Sequence, residues 1–213
     1  MEIKQNLLIL ENDSFAGEFI SRRLFNSEFD TVLTQSAPTA MKAFREKVPD
    51  CALIDIELGP GPNGIDVAHA FRKIKPNVGI LFLTSIVDPR LLDLKGLRLP
   101  DNSLYLTKSL ITGTPDIINS IHEALRLTRA KNTSCSVQTV DGGLDLTSGQ
   151  FELIRLIADG FSNKEIARLK FITVKSTENS IARLAKKLDI KDLNTNSQRV
   201  MIAKRYFQML GKI

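Results

Sequence analysis

Residues 7–13 read Leu-Leu-Ile-Leu-Glu-Asn-Asp: four apolar residues, then a carboxylate, an amide and a second carboxylate. A short apolar run without polar alternation is the pattern of a strand covered on both faces. Comparable runs recur at 31–34, 51–56, 79–84 and 104–107. Amphipathic stretches at 14–26, 38–47, 65–74 and 115–130 separate four of these runs or follow the last. Alternating strand and helix predicts an α/β domain, a doubly wound five-stranded parallel sheet with helices on both faces. Thr114-Pro115-Asp116 supplies an N-cap, a first-turn proline and an acidic first turn for the last of these helices. The stretch 88–103, with two prolines and a glycine where a further helix is due, predicts only a short or irregular helix near 90–95.

Past residue 130 the pattern changes. Residues 131–146 are polar, contain glycine and lack a helical period, which predicts a linker. From 147 onward the reading is a small all-α domain, with helices at about 148–159, 163–170, 174–188 and 196–210. Thr147-Ser148-Gly149-Gln150 and Ser162-Asn163-Lys164-Glu165 both match the capping box, in which a hydroxyl and a Glu or Gln satisfy each other's open backbone N–H groups. Gly160 stands between them as a helix stop.

The composition agrees with two soluble domains. The 213 residues are 43% hydrophobic and 25% charged, which is ordinary for a globular protein and argues against disorder or coiled coil. No apolar run approaches the roughly 18–20 residues of a membrane span. The opening MEIKQN lacks the layout of a signal peptide, and two cysteines, Cys51 and Cys135, cannot build a disulfide framework. A cytoplasmic protein without a membrane partner is the expectation. The 29 Lys and Arg exceed the 24 Asp and Glu, but unevenly. Residues 1–130 carry 15 basic and 16 acidic side chains, whereas residues 147–213 carry 13 and 6. A nearly neutral half followed by a basic half points the second half toward nucleic acid or another anionic surface, a solvated surface being the bland alternative.

In an open α/β sheet, ligands bind beyond the carboxyl ends of the strands. The residues there are Glu11-Asn12-Asp13 after the first strand, Asp55 after the third, Thr84-Ser85 after the fourth and Lys108 after the fifth. Crowded carboxylates favour a hard cation such as Mg²⁺. A carboxylate so placed can also attack phosphorus, and the new phosphoryl oxygens then need a hydroxyl and a cation as partners.

With Asp55 in LIDIELG, Thr84-Ser85 in LFLTS, Lys108 in YLTKS and Tyr105 three residues before it, the first 130 residues resemble the flavodoxin-like receiver domain of two-component response regulators. The resemblance implies that Asp55 accepts a phosphoryl group from a histidine kinase, that Thr84 and Lys108 bind its oxygens, and that Tyr105 occupies the aromatic switch position. It also implies Mg²⁺ held at Glu11, Asn12, Asp55 and Glu57, the last through its backbone carbonyl. Two departures stand out. The acidic pair is here Glu11-Asn12, so a neutral carbonyl replaces a full charge and Mg²⁺ should be held weakly. The proline-broken stretch 88–103 lies where the family transmits its conformational output.

The segment from Thr147 to Ile190 resembles the LuxR/NarL-type helix-turn-helix domain through LTSGQ, LIADGFSNKEIA, FITVKST and the closing KKL. The resemblance implies double-stranded DNA as partner, transcription regulation rather than catalysis, and a homodimer. Ile166, Ala167 and Leu169 can bury one side of the scaffold helix; Ile181, Leu184 and Leu188 form the core stripe of the recognition helix. Ser162, Lys164, Lys175, Ser176, Arg183, Lys186 and Lys187 are then candidates for phosphate contact. The family's usual Thr-Val-Lys-x-His run is here Ser176-Thr177-Glu178-Asn179-Ser180, which sets an acidic residue at the bases. Glu178 could accept from cytosine N4, and Asn179 could pair with adenine. The apolar stripe Val200, Ala203, Phe207 and Leu210 either closes the core or forms a dimer face.

Two other functions compete with a phosphorylation-switched regulator. The receiver could serve DNA binding without phosphate, as a dimerisation or partner-binding module. A metal-dependent phosphatase using Asp55 as a turnover nucleophile is disfavoured, because the basic helical half has no role in it.

Overall fold

The computed structural model describes residues 4–25, 27–88, 91, 98–111, 113–129, 138–139, 145–190 and 195–212. They fall into two compact units, one drawn from residues 1–84 and 94–143, the other from 85–93 and 144–213.

The first unit is a parallel sheet whose strands are β1 (Gln5–Leu10), β2 (Phe29–Thr34), β3 (Cys51–Ile54), β4 (Gly79–Thr84), β5 (Ser103–Thr107) and β6 (Gln138–Thr139). Their order is β2-β1-β3-β4-β5-β6. The first five are the strands expected from the apolar runs. The sixth is a two-residue addition inside the segment read as linker, too short to leave a periodic signal. Helices α1 (Ser14–Leu24), α2 (Ala37–Lys47), α3 (Gly64–Ile74) and α4 (Thr114–Arg129) complete the unit. Odd-numbered strand residues, among them Leu7, Ile9, Leu53, Leu81 and Leu83, pack with Ile20, Leu24, Ile117 and Ile121 in one core layer. On α2 and α3, Phe44 and Phe71 are fully buried and stack at a centroid distance of 4.0 Å. Each such burial is worth roughly 1.5–3 kcal/mol. The short helix expected near 90–95 lies outside the described residues apart from Leu91, and Cys135 lies outside them too.

The second unit contains α5 (Ser148–Ala158), α6 (Asn163–Leu169), α7 (Val174–Lys187) and α8 (Thr195–Met209). Both capping boxes form: Thr147 with Gln150 and Ser162 with Glu165. Its core joins Phe151, Ile154, Ile157, Ile166, Ile181, Leu184 and Ile202, and it also takes in Ile86 and Leu91. The Val87 N–H donates to the Met209 carbonyl at 2.8 Å. One expected core residue is elsewhere. Leu169 is 51% exposed because it ends a two-turn helix whose buried side is already filled by Ile166 and Ala167. The stripe read as either core or dimer face divides: Val200 is 67% exposed, whereas Leu210 is buried and Ala203 packs against the core beside Ile202 and Met209.

Candidate functional site

The register of the sheet assembles the strand-end residues. Leu10 pairs with Ile54, so Glu11 and Asp55 leave β1 and β3 side by side. Thr84 pairs with Thr107, one residue before Lys108. The Asp55 N–H donates to the Leu10 carbonyl at 2.8 Å, which fixes the carboxylate's root. The Lys108 ammonium lies 2.6 Å from Glu11 Oε2 and 2.9 Å from Asp55 Oδ2. The remaining carboxylate oxygens are also engaged: Asp13 N–H donates to Glu11 Oε1 and Glu57 N–H to Asp55 Oδ1, each at 3.2 Å. Glu11 and Asp55 are 2% and 7% exposed. Thr84 and Tyr105 are buried as well.

Electrostatics follow from that burial. Removal from water, reinforced by the charge of Asp55, raises the Glu11 carboxyl above its usual range against the pull of Lys108. Burial alone would lower the Lys108 ammonium, but the hydrogen bond to Glu11 and the charge of Asp55 outweigh it and hold the ammonium above its ordinary value. Asp13 is occupied elsewhere, since its side chain caps α1 by accepting from Ala16 N–H at 3.0 Å.

The residues expected to hold a metal would offer oxygens alone: the carboxylates of Glu11 and Asp55, the Asn12 amide carbonyl and the Glu57 backbone carbonyl. That suits a hard cation in kind. In strength it is poor. Among the described residues no three His, Cys, Asp or Glu side chains are grouped to hold a metal. Lys108 already neutralises one of the two charges present.

One neighbour of the pocket escaped the sequence reading. A Cβ on Gly64 would stand 2.0 Å from the Asp55 carbonyl oxygen, so α3 can start against this strand end only with glycine there. Asn63 caps α3 by accepting from Ile65 and Asp66 N–H. Asn-Gly before an amphipathic helix is the signal that could have found it.

In the second unit, α6 and α7 meet through the turn Lys170–Thr173, with Ile166, Ala167, Thr177, Ile181, Leu184 and Ala185 inward. Thr173 caps α7 by accepting from Ser176 N–H at 3.0 Å. Lys175, Ser176, Asn179, Ala182, Arg183, Lys186 and Lys187 are exposed, and Glu178 is half-exposed.

Comparison with known proteins points the same way. The family described as "Bacterial regulatory proteins, luxR family" matches residues 144–198. The response regulator protein VraR of Staphylococcus saprophyticus is 28% identical over 169 residues, 74% of this chain and 77% of that protein. Over residues 144–198 the chain matches the LuxR family, and over most of its length it is similar to response regulators. The oxygen regulatory protein NreC of Staphylococcus aureus is 27% identical over 182 residues, 79% of this chain and 84% of that protein. A structure of the two-component response regulator RcsB in a DNA complex shares the fold, with a TM-score of 0.55 at 17% identity over 99% of both chains. The family is one of transcription regulators and not of enzymes. Among the described residues, no helix is long and apolar enough to cross a membrane.

The expected site residues separate by what they already hold. Glu11, Asp55 and Lys108 come together inside the first unit, Thr84 and Tyr105 are buried on the neighbouring strands, and Asn12 and Glu57 are exposed. Of the expected phosphate contacts, Ser162 is occupied: its hydroxyl bonds Glu165 at 2.6 Å and accepts from Glu165 N–H. Those bonds also hold the Glu165 carboxyl below its usual range. Lys187 donates to the Asp145 carbonyl at 2.7 Å, off the outward side of α7. Lys164, Lys186 and Arg183 keep exposed charged heads.

Proposed function

We propose that this regulator binds double-stranded DNA through α6 and α7 and is switched by a phosphoryl group that Asp55 takes from a histidine kinase. The proposed division is a receiver at 1–130, a linker at 131–146 and a helix-turn-helix domain at 147–213. The observation that carries the reading is Lys108, 2.9 Å from Asp55 and 2.6 Å from Glu11, at the strand ends of a receiver fold. An Asp55 oxygen attacks phosphorus, the P–N bond to the donor imidazole breaks, and the imidazole leaves with the electron pair. Thr84 and Lys108 then donate to the phosphoryl oxygens, and Lys108 changes partner from carboxylate to phosphoryl. Bound Mg²⁺ would offset the added charge, held by Asp55, Asn12 and the Glu57 carbonyl. A group that changes partners in this way shifts the populations of two receiver states.

DNA binding is supported by the exposed cations of α6 and α7 and by the family match over 144–198. A recognition helix lies in the major groove with its N-terminal part toward the bases. A homodimer in the cytoplasm is part of the same proposal.

The test is phosphoryl incorporation from a small phosphodonor with Mg²⁺, in wild type and Asp55→Asn, followed by DNA affinity. Incorporation in wild type alone, with a gain in affinity, supports the switch. No incorporation, or equal incorporation in both, overturns it. One observation favours a second reading, a receiver that works without phosphate: Lys108 already neutralises one of the two carboxylate charges, and Asn12 withholds a charge from the cation. That reading predicts DNA binding indifferent to the phosphodonor.

A further inference from the structure

The second unit does not begin at its helices. It takes in Ser85–Asp93, a stretch that follows β4 directly, so the chain passes from one unit to the other at the peptide bond after Thr84. Domain boundaries ordinarily fall in exposed polar linkers. Here Thr84 is fully buried and Ile86 is 3% exposed.

Three features fix this stretch among the helices. Ile86 and Leu91 are buried in the core with Phe151, Ile154 and Leu210, and Val87 packs against it. The Val87 N–H donates to the Met209 carbonyl at 2.8 Å. Met209 ends α8, and a carbonyl of the last turn has no partner within its own helix, so this bond caps α8 from outside. The third feature is Gly211. Its φ of +66° closes the same helix end, where the Gly211 N–H donates to the Gln208 carbonyl and the Lys212 N–H to the Phe207 carbonyl. A Cβ on Gly211 would stand 2.6 Å from Ser85 Cβ and 3.3 Å from the Ser85 carbonyl oxygen. Glycine is thus required twice at this position, for the left-handed turn and for the close approach of Ser85.

We propose that this stretch is a strap: a piece of the helical unit carried within the receiver sequence, through which the conformation at the end of β4 sets the stability of the helix-turn-helix core. Val87 lies three residues beyond Thr84, at most about 10 Å of chain, with no glycine between them. A displacement of Thr84 therefore arrives at Ile86 and at the cap of α8 with little slack to absorb it. Close-packed interiors pass such strain on, because they switch between packings and do not deform continuously. The coupling is reciprocal: the state of Thr84 that fits the strap stabilises the helices, and whatever stabilises the helices favours that state. That a phosphoryl group on Asp55 is what moves Thr84 rests on the function proposed above; the packing of the strap does not.

Hydrogen exchange of the full chain, followed amide by amide, tests the strap. Ile86→Ala should lower the protection of α5, α7 and α8 by roughly 30-fold or more and leave β1 and β3 unchanged. Ile86→Val should act in the same way by about 2- to 10-fold, and keeps the test readable if the alanine variant does not fold. Gly211→Ala works from the other end: it should loosen the Val87 amide and reach Leu83 and Thr84 in β4. Helices that keep their protection after both Ile86 substitutions, or a loss confined to the last turn of α8 after Gly211→Ala, overturn the strap. A small phosphodonor with Mg²⁺ should change the protection of Val87 and α8 severalfold in wild type and not in Asp55→Asn. Phosphoryl uptake with no change in α8 overturns the coupling and leaves Asp55 as the acceptor. If no phosphoryl group is taken up, the Asp55 reading fails and the Ile86 and Gly211 substitutions alone decide the strap.

Discussion

In the strand-end pocket all four carboxylate oxygens of Glu11 and Asp55 have a partner, and Lys108 is shared between them. On α7, one unit away, the Asn179 amide and the Glu178 carboxylate hold no internal hydrogen bond among the described residues. The first arrangement can respond only by exchanging partners, so it suits a switch. The second has capacity to spare and suits recognition. Burial explains the difference: an unpaired charge costs several kcal/mol inside a protein and almost nothing in water.

Breaking the saturated side should have the largest effect. Lys108→Ala leaves two buried carboxylates facing each other and should destabilise the receiver by about 3 kcal/mol or more. The drop is read as a lower urea midpoint at neutral pH, and Glu11→Gln in the same background should recover part of it. A receiver of unchanged midpoint would mean that the pocket is wetter than its geometry implies. Gly64→Ala comes next, at roughly 1–3 kcal/mol, because the new Cβ has only backbone to push against. It should also slow phosphoryl incorporation at Asp55, whereas Gly149→Ala, with nothing within 4 Å, should change neither.

The helical side is sharpened by smaller changes. Ser162→Ala should cost about 1 kcal/mol through the lost cap, and shift the melting of the helical unit more than the salt dependence of DNA binding. Were the hydroxyl a phosphate contact instead, the salt slope would fall and the melting would not. The smallest effect concerns Cys51. Burial pushes its thiol up to about 12 from 9.0. The unfolded thiol therefore ionises first, and stability should decline as pH rises from about 9 toward 12. Lys108 acts in the same direction, because its raised ammonium stabilises the fold until pH passes through its folded value. Cys51→Ala should flatten part of the slope, read from urea midpoints at several alkaline pH values.

Most of the architecture was legible because the periodicities were strong and local. Five apolar runs became β1 to β5, and eight amphipathic stretches became α1 to α8 with ends shifted by one or two residues. Capping boxes at Thr147 and Ser162 were readable because each closes within four residues. The pocket was legible because strand ends in such a sheet converge on one edge. What could not be read depended on residues far apart in the chain. Leu169 looked like core, yet Ile166 and Ala167 already fill that side. The stripe through Val200 has helical spacing, yet only Ala203 and Leu210 of it reach the core, where Ile202 and Met209 join them. Neither choice leaves a trace in local pattern, because several rotations of a weakly amphipathic helix bury similar area.

By itself the sequence determined an α/β sheet followed by four helices, the carboxylates and lysine at the strand ends, and the basic character of the second half. Tertiary structure decided which of those groups are spent. Register brought Lys108 onto both Glu11 and Asp55, and close approach at Gly64 set the floor of that site. Ile86 and Leu91 joined the core of the helices although their sequence neighbourhood belongs to the sheet. Local propensity is written in a few consecutive side chains, whereas partner choice depends on which distant groups burial leaves within about 3 Å of one another.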